Sequence, residues 1–258
     1  MIAPNAQFET SEDAVLGGRL VLRQPVSGHR VGHDAILLAA ATPARGGEHA
    51  VDLGAGIGAA GLALARRVAG LAVTLVEIDP ALAALAHENA ERNGLAARAR
   101  AVCLDVAASG SAFADAGLAA GTADCVLMNP PFHGLQNPSP QASRRLAHAA
   151  AENALPHWMH AALRLLRASG TLTLIWRGDG LAEVLAALAG GFGAVTLLPI
   201  YGRPGRPAIR VLARAVKSSR APLTLLPGLL LADAQGKPTS AAEMVLRDAA
   251  ELPMGEET

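Results

Sequence analysis

The hydrophobic pattern between residues 48 and 216 alternates short apolar runs with longer amphipathic segments. Runs such as LAVTLVEID and TLTLIW are rich in Val, Leu, Ile and Thr and have the length of buried strands. The segment PALAALAHENAERNG has helical spacing and is bounded by the capping pairs Asp79-Pro80 and Asn93-Gly94. Its Glu88 and Arg92 are spaced for an i,i+4 pair. Strands alternating with helices predict βαβ units around a mostly parallel, doubly wound sheet.

Two regions flank this alternating pattern. The runs AVTLLPI and AIRVLARAV follow each other without a helix between them and predict one antiparallel edge hairpin. We place the sheet domain at residues 46–217. Residues 1–45 form an N-terminal extension, a β-hairpin with Gly17-Gly18 in its turn and a short helix. Residues 218–258 form a C-terminal tail, with a strand pair and a final helix, that packs on the domain.

Composition narrows the class of protein. The chain is 51% apolar but only 3% aromatic, so Ala, Leu and Val must build its core. The first 13 residues lack the features of a signal peptide, and no apolar run reaches the roughly 20 residues of a membrane helix. Cys103 and Cys125 fall in strand-like segments and indicate small buried side chains in a reducing compartment. We therefore expect a soluble, cytoplasmic protein that does not enter a membrane.

Charge is distributed unevenly along the chain. The formal net charge is zero, yet residues 144–220 contain 11 basic and 3 acidic residues, a balance of +8. This excess indicates a local anionic partner, although solvated arginines on helix faces would give the same count.

A glycine-rich turn follows the first strand of the sheet domain. Gly54, Gly56 and Gly58 in VDLGAGIGAAG let the backbone approach a ligand closely at the carboxyl end of the strand. Taken alone, this turn would equally suit a dinucleotide-binding enzyme.

Acidic residues close the next strands and sharpen that interpretation. Asp52 precedes the glycines, Glu77 ends the second strand, and Asp105 ends the third. Glu77 can accept both hydroxyls of a ribose, and Asp105 can reach an adenine amino group. Two acids at consecutive strand ends indicate ligand contact, whereas Asp79 is predicted to be a helix cap.

Four motifs together resemble the class I S-adenosylmethionine (SAM)-dependent methyltransferases that act on amino nitrogens. They are DLGAGIG at 52–58, EID at 77–79, Asp105 and NPPF at 129–132. The resemblance covers roughly residues 30–216 and implies a Rossmann-like, seven-stranded methyltransferase sheet. It also implies SAM as the cofactor, held by Asp52, Gly54, Gly56, Gly58, Glu77, Ile78, Asp105, Val106 and Asn129.

The NPPF motif then has a chemical interpretation. An exocyclic base amine is a poor nucleophile because its lone pair is delocalised into the ring. If the Asn129 side-chain oxygen and the Pro130 carbonyl each accept one N–H, the lone pair can point at the methyl sulfonium. Pro131 stiffens the corner, and Phe132 offers a face on which the target ring can stack.

A second resemblance lies upstream. The run RVGHDAILLAA at 30–40, followed by the NPPF motif, is similar to the bacterial tRNA1(Val) adenine-N6 methyltransferase group. This similarity implies that Gly32, His33 and Asp34 contribute to the cofactor pocket. His133-Gly134 replace a second aromatic residue after the motif, and NPPFH also resembles rRNA guanine-N2 methyltransferases. The identity of the base is therefore left open.

The predicted function is methyl transfer from SAM to an exocyclic base amine of RNA, with adenine N6 of tRNA as the favoured target. Arg144, Arg145, Arg203 and Arg206 are predicted to hold RNA phosphates. The alternatives are rRNA guanine-N2 methylation, protein glutamine methylation, small-molecule O-methylation and non-catalytic nucleic-acid binding. The eight histidines show no metal-ligand spacing, so we expect no metal. The oligomeric state is undetermined.

Overall fold

A computed structural model describes residues 9–27, 30–131 and 154–255 of the protein. The N-terminal hairpin is present as predicted: β1 (Thr10–Val15) pairs antiparallel with β2 (Leu20–Pro25). A short 3-10 turn, Leu16–Gly18, joins the two strands, and Gly17 and Gly18 adopt φ values of 62° and 88° there. These left-handed conformations explain why the turn needs two glycines.

The central sheet contains seven main strands in the order β8-β9-β7-β6-β3-β4-β5. They are β3 (His49–Leu53), β4 (Ala72–Glu77), β5 (Ala99–Cys103), β6 (Ala123–Met128), β7 (Leu166–Arg177), β8 (Phe192–Tyr201) and β9 (Arg210–Lys217). Strand β9 runs antiparallel to both of its neighbours, and the other pairings among these strands are parallel. The predicted Rossmann-like sheet with one antiparallel hairpin is confirmed.

Helices connect the strands and cover both faces of the sheet. They are α1 (His33–Ala41), α2 (Ala59–Arg67), α3 (Pro80–Arg92), α4 (Gly110–Asp115), α5 (Ala154–Leu165), α6 (Leu181–Leu188) and α7 (Ser240–Asp248). Neighbouring residues of β4 show the two-sided burial, since Leu75 belongs to the apolar cluster on one face and Val76 to the cluster on the other. Both are fully buried, as expected for a parallel sheet.

Helix α3 begins as its sequence predicts. The Asp79 carboxylate accepts hydrogen bonds from the backbone N–H groups of Ala81 (2.8 Å) and Leu82 (3.3 Å), and Pro80 occupies the first turn. Because these bonds satisfy backbone donors that lack helical partners, Asp79 is a cap, as predicted, and its carboxylate is committed to the helix.

Helix α3 also holds the hairpin, through an asparagine clamp formed by Asn89 and Asn93. Each side-chain oxygen accepts a backbone N–H of β2, from Arg23 (2.7 Å) and Val21 (2.9 Å) respectively. The Asn89 side-chain nitrogen donates to the Arg23 carbonyl at 3.0 Å, and that of Asn93 donates to the Val21 carbonyl at 2.7 Å. The two amides therefore pair with β2 as a neighbouring strand would.

The C-terminal tail contacts the sheet domain at two places, the β8 edge of the sheet and helix α1. Strands β10 (Thr224–Leu225) and β11 (Leu229–Leu230) each pair in parallel with β8. Helix α7 contacts α1 and the hairpin turn, and the Leu252 N–H donates to the Ala40 carbonyl at 2.9 Å. The final helix thus lies against the N-terminal extension.

Three local predictions are wrong. Cys103 is exposed at the end of β5, whereas Cys125 is buried as expected. Glu88 pairs with Arg23 (3.1 Å) and Arg92 with Glu12 (2.8 Å), so both residues of the predicted i,i+4 pair reach the hairpin instead. The two tail strands join β8 and do not pair with each other. In the last two cases the partner is distant in sequence, in the hairpin or in β8.

Across residues 9–27, 30–131 and 154–255, no helix has both the length and the apolar character needed to span a bilayer.

Candidate active site

The predicted site residues converge at the carboxyl edge of the sheet. Strands β6, β3, β4 and β5 are adjacent and parallel, with Leu53 paired to Met128 and Glu77 paired to Cys103. The residues that follow these strands therefore lie side by side, which is where doubly wound sheets bind ligands.

The glycine turn after β3 has an unusual backbone. Gly54, Gly56 and Gly58 have φ values of 67°, 57° and 87°. A Cβ added to Gly56 would meet no atom within 4 Å, so this part of the turn faces open space. The left-handed conformation nevertheless favours glycine, and the bare backbone leaves room for a ligand.

Glu77 fastens this turn to β4. Its Oε2 accepts the Gly56 N–H at 2.7 Å, and its Oε1 accepts the Asp79 N–H at 2.9 Å. The side chain is only 7% exposed, and burial raises the pKa of the carboxyl group while the backbone bonds oppose that shift. Each carboxylate oxygen has further lone pairs, so Glu77 is oriented by the protein and can still accept a ligand hydroxyl.

Asp52 lies behind the turn, facing α2. It is 2% exposed, and its Oδ2 accepts the Gly61 N–H in the first turn of α2 at 2.8 Å. Burial raises the pKa of Asp52 to about 7. The side chain thus ties β3 to the start of α2 from inside the fold, and it is not placed on the open face where direct ligand contact was predicted.

The neighbouring strand ends provide an apolar surface beside Glu77. Ile78 is 51% exposed and Val106 is buried. Asp105 is exposed two residues beyond β5, and its Oδ1 accepts the Ala107 N–H at 2.8 Å. A flat heterocycle could pack against Ile78 with a hydrogen-bond acceptor nearby.

Asn129 follows β6 directly. Its side-chain oxygen is inaccessible to solvent and has no hydrogen-bond donor among the residues that the structure describes. An unpaired buried acceptor costs about 1–3 kcal/mol, so this atom is a strong candidate for a ligand N–H. Pro130 is buried and Pro131 exposed, while Phe132 lies outside the described residues.

The register of β3 and β6 places Asn129 next to the glycine turn. Leu53 ends β3 and is paired with Met128, which ends β6. Gly54 and Asn129 are the residues that directly follow these two strands. Since neighbouring strands are about 5 Å apart, the acceptor and the turn border one small region.

The start of α1 is attached to the opposite half of the sheet. The Arg210 Nε donates to Asp34 Oδ2 at 2.8 Å, and both side chains are about three-quarters buried. Gly32 and His33 are exposed just before and at the helix start. Asp34, which was predicted to line the cofactor pocket, is thus held by β9.

Most basic residues of the positively charged segment have structural partners. Arg167 pairs with Asp124, Arg177 with Glu183, and Lys217 donates to the Leu166 carbonyl. Arg214 donates to the carbonyls of Met254 and Gly255, and the Arg164 guanidinium lies 4.4 Å from the centre of the Phe113 ring.

Arg203 and Arg206 differ from those residues. They are exposed in the arginine loop, residues 202–209, which joins β8 to β9. Because Arg210 is paired with Arg177 at the end of β7, this loop lies at the carboxyl edge. Within the described ranges neither arginine forms an ion pair with an acid. Arg144 and Arg145 lie outside the described residues.

Sequence reasoning missed Trp158. Its six-membered ring contacts Gly54, because a Cβ at Gly54 would lie 2.2 Å from Trp158 Cη2 and 2.9 Å from Cζ3. A weak signal was present in the sequence, since the chain has only two tryptophans and one of them is the fifth residue of α5.

The strand order and the glycine turn define the class of protein: this is the fold of the SAM-dependent methyltransferases. Residues 26–199 match the family described as methyltransferase small domain, which is more than half of the chain, so the protein belongs to that family. The prediction of a SAM-dependent methyltransferase is confirmed.

Curated relatives have different named substrates. A tRNA1(Val) (adenine(37)-N6)-methyltransferase from Tolumonas auensis is 31% identical over 165 residues, covering 63% of this chain and 66% of that protein. A release factor glutamine methyltransferase from Chlorobaculum tepidum is also 31% identical over 165 residues, covering 60% of this chain and 54% of that protein. The match therefore spans just under two thirds of the length of the tRNA enzyme and about half of the length of the release factor enzyme.

Solved structures agree on the fold. A predicted O-methyltransferase, protein Atu636 from Agrobacterium tumefaciens, has a TM-score of 0.71 and 31% identity, covering 82% of this chain and 94% of that one. The 16S rRNA N2 G1207 methyltransferase from T. thermophilus, in complex with AdoMet and guanosine, has a TM-score of 0.56 and 24% identity. It covers 81% of this chain and 50% of that one.

The residues present fit SAM. The open backbone at Gly56 has room for the methionine part of SAM. The oriented Glu77 carboxylate suits the ribose hydroxyls, and the exposed Ile78 suits the adenine ring. Among the described residues, no three His, Cys, Asp or Glu side chains are grouped so that they could hold a metal ion.

Proposed function

We propose that the protein methylates an exocyclic base amine of RNA, with adenine N6 of tRNA as the target. The observation that carries this proposal is the buried, unpaired Oδ1 of Asn129 at the end of β6. When bound, SAM supplies an electrophilic methyl group on a sulfonium centre. We also propose that the enzyme acts in the cytoplasm, where tRNA is present.

Asn129 and Pro130 orient the amine. The Asn129 oxygen accepts one N–H and the Pro130 carbonyl accepts the other, so the nitrogen lone pair points away from both acceptors. The Asn129 oxygen must become accessible when the amine enters, because that atom is inaccessible to solvent in this structure. The target base must be unpaired or flipped out of its helix to reach this position.

The arginine loop supports an RNA substrate. Arg203 and Arg206 are exposed at the same edge as Asn129 and lack acidic partners among the described residues. Asn129 follows β6, and the loop begins three strands away at β8, a distance of about 10–15 Å from strand spacing alone. Two cations at that distance suit phosphates flanking a target nucleotide.

Protein glutamine methylation is the second candidate, because the release factor enzyme shares the same 31% identity over 165 residues as the tRNA enzyme, although it covers less of each chain. A glutamine side-chain amide also presents two N–H groups to Asn129 and Pro130. The exposed arginines favour RNA, since a glutamine loop has no phosphates for them to bind.

One incubation tests both candidates. The protein is mixed with SAM carrying a labelled methyl group, total RNA and ribosome-free protein extract, and the Asn129→Ala variant serves as the control. We expect labelled N6-methyladenosine in the tRNA fraction after digestion and mass spectrometry. Labelled N2-methylguanosine would assign rRNA guanine instead, and label confined to glutamine would assign the protein substrate. Label in none of these would refute the proposed function.

A further inference from the structure

Trp158 has an unusual position for an aromatic side chain in this protein. Leu155 and Met159 of α5 are buried in the core, whereas Trp158, on the same side of the helix, stays partly exposed. Its ring reaches from α5 to the turn after β3, where it fills the space that a Gly54 side chain would need. A ligand that packs beside this face of Gly54 would therefore lie against the indole ring.

If the proposed function holds, the strand order indicates which end of the cofactor would lie beside Trp158 and Gly54. Glu77, suited to the ribose, ends β4 on one side of β3, and Ile78, suited to the adenine, follows it. Asn129, suited to the target amine, follows β6 on the other side. The methyl group would lie beside the amine it joins, so the residues near the sulfonium of bound SAM would be those on the β6 side, including Gly54.

We propose that Trp158 contacts the sulfonium-bearing end of SAM and helps the site to distinguish the cationic cofactor from its neutral product, S-adenosylhomocysteine. Indole is the side chain whose face attracts cations most strongly, and the attraction grows when water is excluded. The product has lost the positive charge together with the methyl group. Loss of the indole should therefore weaken SAM more than S-adenosylhomocysteine.

Calorimetry of both ligands tests the charge preference. The ratio of the two dissociation constants is measured for wild type, Trp158→Leu and Trp158→Phe, with Trp176→Phe as the control. Trp176 is the other tryptophan of the chain and is buried in β7. We expect Trp158→Leu to shift the ratio against SAM by about 3–10-fold, Trp158→Phe to shift it less, and Trp176→Phe to leave it unchanged. An unchanged ratio in Trp158→Leu overturns the charge preference.

Fluorescence tests the contact itself without relying on turnover or on the leucine variant folding. Trp176→Phe leaves Trp158 as the single tryptophan, and Trp158→Phe leaves Trp176. S-adenosylhomocysteine should change the emission of Trp176→Phe with the midpoint found by calorimetry, and should leave the emission of Trp158→Phe unchanged. Calorimetric binding without an emission change in Trp176→Phe overturns the contact but leaves the proposed function standing. Failure of the wild type to bind either ligand overturns both.

Discussion

The two ends of the carboxyl edge are built differently. At the β3–β4 end, the acids are buried and each is bonded to backbone N–H groups, Glu77 to Gly56 and Asp79, and Asp52 to Gly61. At the β8–β9 end, the arginine loop holds its charges in solvent, and Arg203 and Arg206 have no acidic partner among the described residues.

This difference indicates two kinds of recognition. Buried groups with fixed hydrogen bonds suit a small ligand that is always the same, because little order has to be created on binding. Exposed arginines on a loop suit a flexible polyanion, whose phosphates can be met in several arrangements. Asn129 lies between the two ends, where the cofactor and the RNA of the proposed function would meet.

The largest expected effect concerns the meeting point. Asn129→Ala should lower kcat by about 100-fold or more, because the lost contact orients the amine in the transition state. SAM affinity, measured by calorimetry, should stay within about twofold of wild type. Normal turnover in this variant would make the NPP corner a structural feature only.

A smaller effect is expected at the β3–β4 end. Glu77→Ala should weaken SAM binding by about 1–3 kcal/mol, because charge-assisted bonds to the ribose hydroxyls are lost and the Gly56 N–H loses its acceptor. Calorimetry measures this change, and Glu77→Gln shows how much of it depends on charge. NAD should not bind measurably to wild type, and tight NAD binding would contradict the cofactor assignment.

Asp52 tests whether the buried end is structural as well as functional. Burial raises the pKa of Asp52 from 3.8 to about 7, so the folded state takes up a proton more readily than the unfolded chain between those values. Its contribution to stability is therefore lost as pH rises from about 4 to about 7.

Asp52→Asn stays neutral and keeps an oxygen for the Gly61 N–H. Relative to wild type, its free energy of unfolding should rise by up to about 4 kcal/mol across this pH range, measured by denaturant titration at each pH. Parallel pH profiles for the two proteins would show that Asp52 is ionised throughout.

The smallest effect is expected at the arginine loop. Replacing Arg203 and Arg206 together by Ala should make the log–log salt dependence of tRNA binding shallower by about 1–1.5 units, because about 0.7 units is lost per single-stranded phosphate contact. SAM affinity should not change. Arg220→Ala, an exposed arginine beyond the opposite end of β9, is the control and should leave the slope unaltered. Parallel slopes for wild type and the double variant would remove these arginines from an RNA site.

Sequence patterns predicted what depends on neighbours along the chain. The Asp79-Pro80 cap and the glycine turn are set by residues within a few positions of each other, and both were found. The positions of Glu77 and Asn129 at the carboxyl edge followed from the strand pattern, because parallel strands end on one side.

Contacts between distant parts of the chain could not be predicted in the same way. The ring of Trp158 meets Gly54 across 104 positions, and Arg210 meets Asp34 across 176. Hydrophobic periodicity marks which face of a helix is buried but does not say which residue it will touch. For that reason the sequence of the basic segment indicates an anionic partner, although most of its described arginines have partners within the fold.

The asparagine clamp on β2 has a consequence for how this protein behaves in a crowded cell. A two-stranded hairpin normally leaves two rows of free amide and carbonyl groups, to which an extended segment of another chain can attach. Asn89 and Asn93 use up the N–H and C=O groups of Val21 and Arg23 on the inner side of the hairpin. Replacing both asparagines by Ala would leave those groups without their partners. We then expect the protein to self-associate by adding strands to the hairpin, and light scattering at high protein concentration should detect the resulting oligomers.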